Sequence, residues 1–279
     1  MGGILYLVAT PIGNLEDITF RAIRILKEAD YIAAEDTRHT KKLLNHFEIK
    51  KPMESYHEHN KVVKGEKIIQ DLKSGLNIAL VTDAGTPGIS DPGEDLVKLC
   101  IENNILVTSI PGAAAFVNGL IISGKQTRRF VFEGFLPFQK KERKHVLEMI
   151  LKETRTIIFY EAPHKLKSTL EDLYKALGNR EITIARELTK KFEELIHINL
   201  ENALEYYKTN EPRGEYVLIL SGADREIIEK EQIDTWLEKS PEEHLQHYSN
   251  KGLSKNEAIK QIAKDRGISR KEAYNFFTN

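Results

Sequence analysis

Cysteine is almost missing from this 279-residue chain: Cys100 is its single one, so neither an internal disulfide nor a cysteine-based zinc site can be built. Cys100 lies among Leu96, Val97, Leu99 and Ile101 at helical spacing, which makes it a core residue rather than a nucleophile. A surplus of either charge is also missing. Forty-one Lys and Arg against 42 Asp and Glu leave a net charge of −1, so nucleic-acid binding would need a local basic surface. Long apolar runs are absent too, as is a basic-then-apolar leader. Together with the scarce cysteine, this predicts a soluble protein of the reducing cytoplasm with no membrane partner.

Several familiar signatures fail as well. No GxxxxGK[ST] occurs, no GxGxxG follows the first predicted strand, and neither HExxH nor GxSxG is found. The His57-Glu58-His59 triplet has no evident third ligand, and histidines two apart share a face only on a strand. We assign these histidines to the surface or to RNA, and no metal site is expected.

What is present begins with alternation. Apolar runs at Ile4–Ala9, Tyr31–Ala34, Ile78–Val81 and Ile105–Ile110 read as strands. Helical spacing separates them at Phe20–Ala29, Thr40–Phe47, Val62–Lys73 and Glu94–Glu102, which implies a largely parallel sheet. Pro111-Gly112 ends this series, and Ala113–Ile122 reads as a small-residue helix. Strands at Phe130–Leu136, Thr156–Tyr160, Ile182–Glu187, Leu195–Ile198 and Tyr216–Leu220, with helices at His145–Lys152 and Lys165–Leu177, predict a second, mixed sheet. After Gly222, three serine-to-glutamate capping boxes start at Ser240, Ser254 and Ser269 and predict a helical tail. Gly267 between the last two helices makes them a helix-turn-helix-like pair, suited to nucleic acid or to packing on the body or a partner. The expected class is α/β, with domains at 1–112, 113–222 and 223–279.

The loop VTDAGTPGISDPG, Val81 to Gly93, is the most informative stretch. It leaves an apolar strand, holds three glycines and two prolines, and ends on Asp91-Pro92-Gly93-Glu94, a helix-start signal with proline at the first helical position. A loop of this kind presents backbone N–H groups to a ligand at the end of a sheet. Its conformational cost argues against idleness. Three more turn-rich segments leave predicted strands: Thr10–Thr19, Ala34–Thr40 and Phe159–His164. Local basic clusters lie at Arg38–Lys42, Arg128-Arg129 and Lys140–Lys144, the last diluted by Glu142.

The ordered segments ATPIGNLEDIT, AEDTRHTKKLL, LVTDAGTPGISDPG, SIPGAAAF, FYEAPHK and ARELTK resemble the bacterial ribosomal RNA small-subunit methyltransferase I group, within the tetrapyrrole-methylase superfamily. The resemblance spans roughly residues 4 to 222. It implies a two-domain fold with S-adenosyl-L-methionine in the cleft between the domains, a homodimer, and methylation of a cytidine ribose 2′-oxygen in the decoding region of 16S rRNA. Corrin and porphyrin methylases usually carry a GxGPGD-like first loop and an aspartate before the proline of the second. Here TPIGN and Thr86-Pro87 stand instead, matching the ribosomal group.

Carried over residue by residue, the resemblance implies cofactor contacts from Pro11 and Ile12, from Asp83, Gly85, Thr86 and Ile89, and from Gly112, Ala113 and Ala114. Tyr160, Ala162 and Glu215 would add theirs from the second domain. The site chemistry suits such a ligand, because small residues permit close backbone approach to a compact zwitterion that lacks a phosphate chain. Glu35 and Asp36, at a strand end beside basic residues, are the candidate proton acceptors. Arg38, His39, Lys41 and Lys42, with Arg186 and Lys190, would hold the RNA backbone. The alternative is an enzyme of the same fold acting on a small molecule or a protein side chain; a non-catalytic RNA-binding factor would need a disrupted cofactor loop.

Overall fold

The computed structural model describes residues 2–277, apart from the side chains of 227, 229, 231 and 232. The chain forms two compact units. One holds both sheets, in residues up to 148 and 155–221; the other comprises 149–154 and the chain from 222 onward.

The first sheet contains β1 (Ile4–Val8), β2 (Tyr31–Ala34), β3 (Met53–Ser55), β4 (Ile78–Val81) and β5 (Leu106–Ile110). All pair in parallel, in the order β3-β2-β4-β1-β5. β2 and β4 are buried at every position, which is why they read as unbroken apolar runs rather than alternating ones. The crossovers use α1 (Phe20–Glu28), α2 (Thr37–His46), α3 (Lys61–Lys73) and α4 (Gly93–Glu102). Steps from β1 to β2 and on to β3 run one way along the sheet, so right-handed crossovers place α1 and α2 on one face. The return steps to β4 and β5 place α3 and α4 on the other. The two apolar clusters follow this division: Ala22, Ile25, Leu26 and Leu44 pack in one, and Ile68, Leu72, Leu96 and Cys100 in the other. Because β1 and β4 are neighbours whose connections leave toward opposite faces, a crevice opens beyond their carboxyl ends.

The second sheet contains β6 (Phe130–Phe135), β7 (Thr156–Glu161), β8 (Glu181–Arg186), β9 (Glu194–Asn199) and β10 (Tyr216–Leu220). Its order is β6-β7-β10-β8-β9, with β6 and β7 parallel and the remaining pairs antiparallel, the mixed sheet that the strand spacing predicts. Its helices are α5 (Ala115–Ile122), α6 (Lys140–Ile150), α7 (Pro163–Leu177) and α8 (Leu200–Thr209). Leu120 of α5 packs with Ile158, Val217 and Ile219 of the sheet and with Ile12 of the first connection.

Differences from the sequence reading have local causes. β3 is three residues long with a glutamate at its centre, too short for periodicity to register. α2 starts three residues earlier than predicted, because its first turn is polar and Asp36 caps it. α8 was not predicted, although Asn199 caps it and Leu200, Ala203 and Tyr207 form its buried stripe. α4 starts at Gly93, one residue after Pro92, and the Asp91 carboxylate binds loop amides as well as the helix start.

The second unit carries α9 (Arg225–Leu237), α10 (Pro241–Asn250), α11 (Lys255–Asp265) and α12 (Arg270–Asn275). Ser240 and Ser269 close reciprocal boxes with Glu243 and Glu272, and Ser254 donates both its N–H and its hydroxyl to Glu257. Gly267 has φ +63°, the left-handed turn needed between α11 and α12.

Candidate active site

The crevice beyond β1 and β4 is walled on its far side by the second sheet, giving a cleft of about 520 Å³. Two loops meet at its floor. Thr10 and Gly85 exchange both backbone hydrogen bonds, at 2.9 and 3.1 Å, so the loops after β1 and β4 are joined by an antiparallel bridge. Gly85 makes that bridge at φ +84°, and a Cβ there would lie 3.3 Å from Ile12 Cγ2. This is a position for glycine.

The β4 loop is braced from within. Both oxygens of Asp91 accept the Gly88 N–H, and they also take the amides of Ile89 and Gly93. Ser90 is held at φ +62°, and the Thr86 hydroxyl donates to the Ala113 carbonyl at 2.9 Å. Gly112 lets the connection after β5 lie against β1, since a Cβ there would stand 2.7 Å from Ala9 Cβ. The loop's glycines and prolines therefore shape a wall rather than a flexible flap.

Carboxylates gather on this side. Glu35 Oε2 accepts from the Thr82 hydroxyl at 2.6 Å and from the Asp83 N–H at 3.4 Å, while Asp83 Oδ1 accepts from the Asp36 N–H at 3.1 Å. Partial desolvation and the Glu35 charge raise the Asp83 pKa from its ordinary value. Asp36 turns away from this pair. Its carboxylate caps α2 and grips the Arg38 guanidinium at 2.8 Å, and those bonds hold its pKa well below the usual carboxylate range.

From the second sheet come Phe135, the segment Tyr160–His164, Leu188, Lys190 and Glu215–Val217. The Tyr160 hydroxyl accepts the Phe116 N–H at 3.2 Å at the start of α5, and burial raises its pKa. Glu161 is 3% exposed and accepts from the Ala162 N–H and from the Thr169 hydroxyl. The Ala162 carbonyl meanwhile takes the Lys165 and Leu166 amides, so both backbone polar groups of Ala162 have partners within the protein. Lys190 Nζ bridges Glu187 at 2.9 Å and Glu215 at 2.7 Å. Glu187 and Thr189 beside it adopt φ of +51° and +67°, strain held where this loop packs on Gly13.

The cleft thus brings together Ile12, Glu35, Asp83, Gly85, Thr86, Ile89, Ala114, Tyr160, Ala162, Lys190 and Glu215. Pro11, Gly112 and Ala113 are not among the lining residues; Pro11 precedes Ile12 and Ala113 precedes Ala114 in the chain, and the Ala113 carbonyl accepts from the lining Thr86. Asp36, Arg38, His39, Lys41 and Lys42 lie outside the lining, on the turn into α2 and its first turns. Arg186 also lies outside, with its guanidinium on Glu194 and the Arg213 carbonyl. Sequence reasoning did not single out Thr82, Ser90, Phe135 or Leu188, which line the cleft, nor the buried role of Glu161 within FYEAPH. Thr82 and Ser90 lie within the flagged Val81–Gly93 loop, Glu161 within Phe159–His164 and Leu188 within ARELTK; only Phe135 lies outside a flagged loop or motif, in a predicted strand. Among the described residues no group of three or more His, Cys, Asp or Glu could hold a metal ion, and no helix is long and apolar enough to cross a membrane.

Known proteins share both sequence and architecture with this chain. Residues 4–204 match the family model of the tetrapyrrole (corrin/porphyrin) methylases. The ribosomal RNA small subunit methyltransferase I of Halalkalibacterium halodurans is 54% identical over 275 residues, covering 99% of this chain and 94% of that protein. That of Bacillus subtilis is 50% identical over the same length and the same shares. Among solved structures, uroporphyrin-III C-methyl transferase from Thermus thermophilus, complexed with S-adenyl homocysteine, superposes with a TM-score of 0.58 at 17% identity. It covers 78% of this chain and 97% of its own. That likeness carries the fold. Sequence and structure together place the chain in the ribosomal RNA small subunit methyltransferase I family, a branch of the tetrapyrrole methylases.

Proposed function

We propose that this protein uses S-adenosyl-L-methionine to methylate the ribose 2′-oxygen of a cytidine in the decoding region of 16S rRNA. The observation that carries the methyltransferase reading is identity of half or more, along nearly the whole chain, with relatives named for methylating small-subunit ribosomal RNA. Domains at 1–112 and 113–222 would form the cleft walls, with 223–279 as a helical extension. A homodimer in the cytoplasm completes the proposal.

The cleft fits the cofactor on its own chemistry. Gly85, Ala114 and Ala115 in the lining allow close approach, and two left-handed positions, Gly85 and Ser90, shape the loop after β4. Glu35, Asp83, Asp91, Glu161 and Glu215 line the space against the Lys190 ammonium, so carboxylates predominate around a ligand with a sulfonium and an ammonium group. Ile12, Asp83, Gly85, Thr86, Ile89, Ala114, Tyr160, Ala162 and Glu215 would hold it, with Pro11, Gly112 and Ala113 supporting them. Bound there, it supplies a methyl group already activated for displacement.

The remaining work falls to the protein: orienting the hydroxyl in line and accepting its proton. Glu35 suits proton transfer, because one oxygen is anchored by Thr82 and the side chain reaches the cleft. Asp36 contributes by fixing Arg38 outside the cleft lining, where Arg38, His39, Lys41 and Lys42 would meet phosphates; Arg186 and Lys190 would extend that surface from the second sheet's side.

The test is to incubate the purified protein with small ribosomal subunits and methyl-labelled cofactor, then map 2′-O-methylation along 16S rRNA. Label at one cytidine in the decoding region is expected. Label on a base, on ribosomal protein, or only on added small molecules would overturn the assignment and favour the alternative substrate classes.

A further inference from the structure

Phe138 is a large apolar side chain left 84% exposed, in the short connection between β6 and α6. Phe135, three residues earlier, lines the cleft and is itself 49% exposed. The Lys165 ammonium sits 5.0 Å from the Phe138 ring centroid. Lys165 belongs to the first turn of α7 and directly follows Pro163 and His164, which also line the cleft. The aromatic–lysine contact therefore ties together two cleft-lining connections. Lys140 and Lys141, at the start of α6, add two exposed cations beside it. Arg143 does not join them: its guanidinium turns inward to Asp172 and Thr169.

Burial alone does not explain this arrangement. Leu136 is buried and Pro137 half-buried, so the same connection already anchors itself without Phe138. An exposed aromatic face with an ammonium over it and further lysines around it matches how single-stranded nucleic acid is held. A base stacks on the ring while the cations meet the phosphates. Protein interfaces tend to exclude lysine from their cores, which argues against a protein partner at this spot.

We propose that Phe138 is a stacking platform for an unstacked base of the RNA substrate next to the acceptor nucleotide, with Lys165, Lys140 and Lys141 holding the adjoining phosphates. This rests on the rRNA reading above and adds the residue that splays the substrate at the cleft.

The experiment compares full-length wild type with Phe138→Ala, Phe138→Leu, Phe138→Trp and Lys165→Ala. A fluorescein-labelled single-stranded RNA decamer probes binding by anisotropy, with methylation of small subunits measured in parallel. Phe138→Ala and Phe138→Leu should each weaken RNA binding about tenfold, in line with the energy of one base–aromatic stack. Phe138→Trp should retain wild-type affinity, and Lys165→Ala should lower the salt slope by roughly 0.7 for one lost phosphate contact on single-stranded RNA. S-adenosylhomocysteine affinity and melting temperature should stay unchanged in the Phe138 variants.

RNA affinity in Phe138→Ala equal to wild type overturns the proposal. So does wild-type binding by Phe138→Leu, which would mean apolar contact without stacking. A change of oligomeric state in sedimentation with unchanged RNA affinity would assign the face to a protein partner instead. If wild type binds the decamer in this way but methylates no ribosomal RNA, the function proposed above fails while the platform stands. Methylation that persists with no effect of Phe138 sinks the platform alone.

Discussion

The Thr82 hydroxyl donates to Glu35 Oε2 at 2.6 Å, joining the carboxyl ends of two neighbouring strands, β2 and β4, at the cleft. One oxygen of the carboxylate is thereby oriented while the side chain still faces the site. Glu35→Gln should keep the Thr82 contact and remove the proton acceptor. Turnover should fall about 100-fold or more, within the usual range for general-base removal, with cofactor affinity unchanged. Thr82→Val should lose less. Single-turnover rates with calorimetric binding decide it: near wild-type turnover in Glu35→Gln would leave positioning alone as the source of catalysis.

Gly85 offers a test of the loop bridge. At φ +84°, with Ile12 Cγ2 only 3.3 Å from where a Cβ would stand, valine is strained twice over. Gly85→Val should destabilise the protein by about 1–3 kcal/mol and displace Ile12 or the Thr10 bridge, weakening cofactor binding. Gly88 has a similar φ of +88° but open space around it, so Gly88→Ala should cost stability with a smaller effect on binding. Equal losses of cofactor affinity at the two positions would refute the bridge as the relevant feature.

The helical extension contains a titratable core. His244 is fully buried, stacked at 3.7 Å on Trp236. Arg266 Nε donates to its Nδ1 and its Nε2 faces Asp265, so the ring is neutral with its proton on Nε2. Burial lowers its pKa from the ordinary 6.5, against the opposing pull of Asp265. A depressed histidine means the unfolded chain takes up the proton first. This contribution to stability is whole above about pH 6.5 and declines as pH falls through that value toward the folded pKa. Trp236 is the only tryptophan of the chain, so its fluorescence reports this unit directly. Its acid transition should have a midpoint below 6.5 and disappear in His244→Gln. A midpoint at or above the ordinary histidine value would contradict the burial argument.

How far these features could be read in advance depended on how local their causes are. The capping boxes at Ser240, Ser254 and Ser269 are four-residue events, and all three stand where serine and glutamate are spaced for them. The β4 strand and its loop were equally plain, because an apolar run buried on both faces and a cluster of glycine and proline need no distant partner to declare themselves. Acidic residues at a strand end beside basic ones were visible as a pair, Glu35 and Asp36. Their division of labour was not. It follows from Asp36 lying at the N-cap of α2 and Glu35 lying opposite Thr82, across a strand pairing 47 residues long in sequence separation.

Periodicity, caps and motifs are written in consecutive residues, and from them alone the parallel and mixed sheets, the capped tail and the family could be read. Which of the candidate residues share one cleft depends on packing between distant segments. Right-handed crossovers had to send α1 and α4 to opposite faces before β1 and β4 could open a crevice between them. Packing then turned Arg143 and Arg186 onto acceptors of the protein itself, closed Ala162's backbone against its own helix, and left Phe138 facing water beside Lys165.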